Sequence, residues 1–332
     1  MPFAFCLLPF AFRPRECSGL LWSKEPDVRT LTETELLCEL EPTVAANLNR
    51  HLATSQEWLP HEWVPWSRGR DFAGDGGTPW SEHQSALSPA ARAAFELNLL
   101  TEDNLPSYHH ELLRRFGPDG AWGTWVRRWT AEEARHAMAI RDYVLLCRAV
   151  DPVALERDRM AAMQAGWSAG DKGPLRSIVY VSFQELATRV SHRNTGRLAG
   201  DPVADRLLAR IAADENLHMV FYRDLVMTAL EIAPDQVLEA IAAEAASFDM
   251  PGTAVPGFRR RSQQIAAAGI YDVRRHRDEV VAPLVRHWQA LTRTLTTGAG
   301  REAQDRLGKH LENLESMARR FEERHARRGD PL

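Results

Sequence analysis

Apolar residues recur at intervals of three and four over most of the chain, which is the period of an amphipathic helix, and only a few stretches break the pattern. The pattern starts near residue 32 in TETELLCELEPTVAANLNRHLA, where Thr32 or Thr34 can cap the first turn. Helices are predicted over residues 89–115, 122–149, 152–165, 175–193, 202–229 and 234–248, several with proline near the first turn, as helix starts prefer. Helical pattern continues over 259–270, 278–296 and 301–328, the last of these charged and peripheral. Residues 57–82, EWLPHEWVPWSRGRDFAGDGGTPWSE, are rich in Trp, Pro and Gly and read as a long ordered loop held to the body by aromatic side chains. Alternating strand patterns with hairpin turns are absent, so the expected class is all-α. Pro106 should bend its helix, because its ring opposes the carbonyl of Glu102 four residues earlier.

The pattern divides the chain into a loose extension at 1–30, a main helical domain over 31–298 and a charged C-terminal helix or tail over 299–332. A composition of 44% hydrophobic and 26% charged residues is that of a soluble globular protein. The net charge of −4 gives no reason to expect nucleic-acid binding, although arginines cluster at Arg259, Arg260 and Arg261 and at Arg274, Arg275 and Arg277. Cys6, Cys17, Cys38 and Cys147 lack metal or redox spacing, which suits a reduced cytoplasm. The apolar opening MPFAFCLLPFAF has no basic flank before it and is too short for a membrane span, and no later segment is long enough either.

Chemistry enters with a spacing. AEEARHAM holds Glu133 and His136, and ADENLHMV holds Glu215 and His218, so the E-x-x-H motif occurs twice, each time with an acid, Glu132 or Asp214, just before the glutamate. Positions three apart share a helix face, so each pair turns the same way as its apolar neighbours. Glu102 stands 31 positions before Glu133, and Glu185 stands 30 before Glu215. A third E-x-x-H, Glu322 with His325, has Leu291 and Thr292 at the corresponding positions and charged surroundings, so it is expected to face solvent.

Residues about thirty apart across a helical hairpin come to one level, and two such hairpins make a four-helix bundle. One glutamate from each of two helices and E-x-x-H from each of the other two is the ligand set of ferritin-like dinuclear carboxylate proteins. The expected fold is therefore a ferritin-like four-helix bundle core with additional flanking helices. Glu102, Glu133, His136, Glu185, Glu215 and His218 are the candidate metal ligands; four carboxylates and two neutral imidazoles balance two divalent ions. Oxygen and nitrogen donors suit iron first and manganese second. Glu132 and Asp214 are candidates to orient a ligand histidine from the opposite helix.

Four segments, TEDNLPSYHHEL, WTAEEARHAMAIRDYV, YVSFQELATRVSHRNTG and ADENLHMVFYRDLV, resemble the signature segments of the soluble acyl-carrier-protein desaturases, most closely their actinobacterial branch. The resemblance runs from about Leu31 to the PGFRRR region and includes the WLPHEWVPW loop. It implies a homodimeric helical enzyme that inserts a cis double bond into a fatty acyl chain carried on acyl carrier protein. It further implies two iron ions per chain and reduction by a ferredoxin-type donor. All six family ligands are present, and the family pattern makes Glu133 and Glu215 the bridging ones. Thr188 matches a threonine beside the oxygen-binding face, where a hydroxyl can relay protons. Trp58 matches a surface tryptophan that, with a ligand histidine and Asp214, resembles an electron path.

The acyl chain should lie beside the metals, with Phe183, Met138, Met219 and Leu105 as candidate linings. An acidic carrier calls for a basic patch, for which Arg193, Arg197 and the arginines at 259–261 and 274–277 are candidates. The stretch AGWSAGDKGPLRSIVYVSF is shorter than its counterpart in relatives, which bears on chain length or double-bond position. The alternatives are another ferritin-like di-iron oxidase or monooxygenase, which would place Tyr108 or Tyr143 close to the metals in its radical-generating form, and a non-catalytic iron-binding bundle.

Overall fold

Local signals start the helices. Thr32 forms a reciprocal capping box with Glu35 at the head of α1 (Glu33–Thr54). After α2 (Pro60–Trp63), Ser88 caps the backbone of Ala91 ahead of α3 (Pro89–Glu102), and proline takes the first position in both helices. The structure is a computed structural model and describes residues 30–328; all but the last residue of the expected 1–30 extension, with Cys6 and Cys17, lies outside the described residues.

The helix expected over 89–115 is two helices. α3 stops at Glu102, residues 103 and 104 turn, and α4 runs Leu105–Phe116. Pro106 sits in the first turn of α4, where its missing N–H costs nothing, so the ring that opposes a continuous helix instead starts a new one. α5 (Gly120–Leu146), α6 (Pro152–Ala165), α7 (Pro174–Leu198), α8 (Pro202–Ile232) and α9 (Pro234–Ser247) follow. α5, α7, α8 and the α3–α4 pair form the bundle, with α7 against α8, α3 against α5 and α7, and α5 against α8. α7 buries residues on nearly every side, including Ile178, Val179, Phe183, Leu186 and Val190, and is the central helix.

Other helices clad this core. α1 lies on α5 and α8, α9 on α7 and α8, and α10 (Phe258–Ala267) on α3. The helix expected over 278–296 is instead a composite of α11 (Val273–Arg275), a π-helical turn His276–Val281 and α12 (Ala282–His287), and residues 288–296 are not helical. α13 (Gly298–Arg328) packs on α9 and α11, burying Ala303, Leu307, Leu314 and Ala318. Asp235 receives the Thr296 and Thr297 backbone N–H groups and hydroxyls ahead of it.

The long loop carries only α2 and short 3-10 turns, and charged side chains anchor it, Arg68 to Asp201 at 2.7 Å among them. Arg148 is buried with a guanidinium that donates to the Thr78 carbonyl and to Gln84 and lies 4.2 Å over the Phe72 ring. Trp80 donates to the Arg148 carbonyl, so aromatics do contribute, as expected. No β-strand occurs among the described residues, and none of their helices is long and apolar enough to cross a membrane.

Candidate metal centre

Glu102 is the last residue of α3, Glu133 and His136 lie mid-way along α5, Glu185 along α7, and Glu215 and His218 along α8. The bundle brings all six together. Glu102, Glu133, His136 and Glu215 form one group of donor atoms within 4.8 Å of one another, and Glu133, Glu185, Glu215 and His218 form a second. Glu133 and Glu215 belong to both. His136 Nδ1 lies 3.2 Å from Glu215 and 3.4 Å from Glu133, and His218 Nδ1 lies 2.8 Å from Glu133 and 3.8 Å from Glu185.

These side chains are buried, with Glu215 only 1% exposed. Both Glu215 oxygens, one oxygen each of Glu133 and Glu185, and Nδ1 of both histidines make no hydrogen bond. Burial, and then the Glu133 and Glu102 carboxylates beside it, push the Glu215 carboxyl well above the usual carboxylate range. Burial likewise raises Glu133, whereas the His136 and His218 imidazoles are raised because neighbouring carboxylates outweigh their burial. Orphaned donor atoms converging on one volume, with like charges that cannot all ionise, fit a pair of divalent cations as the missing partner.

A second layer of side chains holds the two candidate ligand histidines. His136 Nε2 lies 3.4 Å from Asp214 on the opposite helix, and His218 Nε2 lies 2.9 Å from Glu132. With Nδ1 turned inward, Nε2 carries the proton and donates to the carboxylate, which fixes the ring. Burial would raise the Asp214 carboxyl, but His136 and then Trp58 hold it down at about 2. Glu132 is held below the carboxylate range by His218 and His51 in the same way. The Trp58 indole donates to Asp214 at 2.7 Å and is parallel to His136. The expected surface position of Trp58 is corrected, since it is 4% exposed: Trp63 packs edge-on to it and Arg135 covers its ring at 5.2 Å.

Sequence reasoning missed several partners. His51 on α1 lies 2.9 Å from Glu132, Trp129 donates to Glu185 at 3.0 Å, and His192 lies 2.7 Å from Glu102. Arg128 and Arg210 pair with Glu132 and Asp214. Each arginine stands four positions before its acid, and His192 seven after Glu185, so helical spacing carried the signal for these three. His51 sits in a helix far along the chain from its partner and gave none.

Beside the cluster is a cavity, partly open to solvent, whose walls include Glu102, Glu133, Trp129 and Thr188. Tyr108, Leu112, Trp167, Tyr180, Gln184 and Met250 are among the other residues of the lining. The expected linings are corrected. Met138 is 51% exposed because it lies on the outer face of α5, and Phe183, Met219 and Leu105 pack in the core without lining the cavity. Thr188 is in the cavity wall, and its hydroxyl donates to the Gln184 carbonyl and accepts from the Gln184 amide. Tyr108 shares the cavity wall, whereas Tyr143 donates to Asp201 and stacks on Phe95.

The tail motif is also corrected: His325 is buried against Phe321 on α13, and Glu322 is paired with Arg274. Its spacing serves helix packing.

The model of the fatty acid desaturase family matches residues 32–331. The chain is 48% identical over 300 residues to a Mycobacterium tuberculosis protein named as acyl-(acyl-carrier-protein) desaturase DesA1, covering 88% of this chain and 89% of that one. It is 31% identical over 316 residues to the chloroplastic stearoyl-(acyl-carrier-protein) 9-desaturase of Gossypium hirsutum, covering 87% and 76%. The X-ray structure of an M. tuberculosis protein named as acyl-ACP desaturase DesA2 superposes with a TM-score of 0.67 at 33% identity, covering 81% of this chain and 98% of that one.

Proposed function

The chain belongs to the fatty acid desaturase family, and on that premise we propose that it inserts a cis double bond into a saturated acyl chain carried on acyl carrier protein, in the cytoplasm and as a homodimer. Glu102, Glu133, His136, Glu185, Glu215 and His218 hold two iron ions, and a ferredoxin-type protein supplies the electrons. The observation that supports this best is the pair of overlapping donor groups sharing Glu133 and Glu215, two of whose carboxylates, Glu102 and Glu133, stand in the wall of a largely apolar cavity.

An acyl methylene has no acidity that a side chain could exploit, so iron held by these residues would supply the oxidant from dioxygen, two electrons and two protons, and the two hydrogens taken from the chain would leave with the oxygen atoms as two water molecules. The protein's part is positional. Asp214 and Glu132 hold the histidine rings, and Trp129 holds Glu185 through its indole N–H. Trp58, Asp214 and His136 make a contiguous route for electrons. Thr188 offers the hydroxyl at the cavity that can pass a proton, and the apolar walls keep water from competing with the substrate.

The test is incubation of iron-loaded protein with acyl carrier protein thioesters of several lengths, ferredoxin and reductant, with mass-spectrometric location of the double bond. Product that needs dioxygen and reductant is expected. Turnover of a free hydrocarbon with none of the thioesters would replace this reading with a monooxygenase.

A further inference from the structure

Of the six candidate ligands only Glu102 stands at a helix end. The other five lie well inside α5, α7 and α8, where the hydrogen bonds of the helix hold the backbone on both sides. Pro106, four residues after Glu102, has no N–H to offer the Glu102 carbonyl, so the ladder of α3 cannot continue past this point. This carboxylate, which stands in the cavity wall, therefore needs support from outside its own helix.

That support comes from α7. His192 is fully buried, and its Nε2 lies 2.7 Å from Glu102 Oε1. It stands two helical turns after Glu185, so one face of the central helix carries both a ligand and the partner of another ligand. Across the ring, Nδ1 lies 3.3 Å from the side-chain amide nitrogen of the buried Asn98, and the Ser191 hydroxyl donates to Asn98 Oδ1 at 3.1 Å. Two constraints agree on where the ring proton sits. Against a carboxylate, Nε2 must donate; and with its oxygen taken by Ser191, the Asn98 amide turns its NH2 toward Nδ1, which must accept. Glu215 is 3.9 Å from Nε2, beyond hydrogen-bond reach, so the proton is committed to Glu102.

The two carboxylates outside the shared pair are thus held alike. Glu102 Oε1 accepts from His192, and Glu185 Oε1 accepts from Trp129. Glu102 Oε2 lies 3.8 Å from His136 Nδ1, and Glu185 Oε2 has no hydrogen-bond partner. In each, one oxygen is occupied and the other is left for a cation. They differ in backbone: α7 fixes Glu185 on both sides, whereas α3 ends at Glu102.

We propose that His192, with its tautomer set by Asn98, is a positioning residue for Glu102, and that it supports the metal position formed by Glu102 and His136 and not the one formed by Glu185 and His218. This rests on the two-metal site proposed above.

The test titrates metal-free protein with ferrous ion under anaerobic conditions. Bound iron is counted by inductively coupled plasma mass spectrometry, and Mössbauer spectroscopy distinguishes the two positions. Three variants are compared with the unmodified chain: His192→Leu, which removes both nitrogens; His192→Gln, whose amide N–H can replace that of Nε2; and Asn98→Leu, which frees the tautomer. Circular dichroism checks the fold. His192→Leu is expected to keep one ion and to bind the second about 10- to 100-fold more weakly, with one of the two Mössbauer signals changed. His192→Gln should restore most of that loss, and Asn98→Leu should show a smaller loss at the same ion. Unchanged affinity for both ions in His192→Leu, equal weakening of both, or no recovery in His192→Gln overturns the role of His192 and leaves the ligand set standing. If His192→Leu does not fold, unchanged binding by Asn98→Leu overturns it instead. An unmodified chain that binds no iron overturns the two-metal site as well.

Discussion

Among the four candidate ligand carboxyls Glu215 is pushed up furthest, since burial and the Glu133, Glu102 and Glu185 carboxylates oppose its charge. Removing it takes away a shared donor and also a repulsion. Glu215→Ala should therefore lose most of its metal, measured by inductively coupled plasma mass spectrometry, while the metal-free protein stays within about 2 kcal/mol of the original in urea unfolding. Full metal retention would remove Glu215 from the ligand set. Asp214→Asn is a milder test, because the ring of His136 loses its anionic acceptor and the Trp58 N–H loses its partner. Metal affinity should fall about 10- to 100-fold with the fold intact; unchanged affinity would mean that Asp214 does not aim the ligand. The six candidate ligands were legible because one spacing occurs twice on two apolar helix faces. The depth of Trp58 was not legible, because it depends on Arg135 and Asp214, which the fold supplies from distant helices.

Helices were read well where a proline or a capping side chain marked their start, as at Pro89, Pro152, Pro202 and Pro234. Expectation and structure part at Pro106, which begins α4 instead of kinking one long helix, and at residues 288–296, where the helical pattern is outvoted by packing of Trp288 into the core and a positive φ at Gln289. The loop between α6 and α7 carries the next consequence. Its Trp167 is held in the cavity wall by Tyr108 and Tyr180, and Arg115 ties the loop down by donating to the Gly170 carbonyl. Trp167→Ala should enlarge the cavity at this wall and move the preferred substrate to longer acyl chains, each further buried methylene contributing about 0.8 kcal/mol. Competition among carrier thioesters of different lengths, with the products resolved by mass spectrometry, reads this directly. An unmoved length preference would place the methyl end of the substrate elsewhere.

Taken as one molecule, the bundle folds around charges that it cannot neutralise by itself, so metal and fold stability are linked. In the metal-free protein Glu133 and Glu215 are raised above the ordinary 4.5, and His136 and His218 well above 6.5. A group raised on folding stabilises below its unfolded pKa, and that contribution is lost as pH rises through the folded value. The metal-free fold should therefore weaken from about pH 5 upward. Cations reverse the sign, since they bind the deprotonated ligands and displace those protons. The gap in thermal midpoint between metal-loaded and chelator-treated protein should widen steadily from about pH 5 to pH 8, as read by scanning calorimetry in matched buffers. Asp214, held at about 2, titrates below this window and adds no slope within it. A gap that stayed flat or narrowed with rising pH would mean that the metal does not meet the raised groups, and the six-residue assignment would fall.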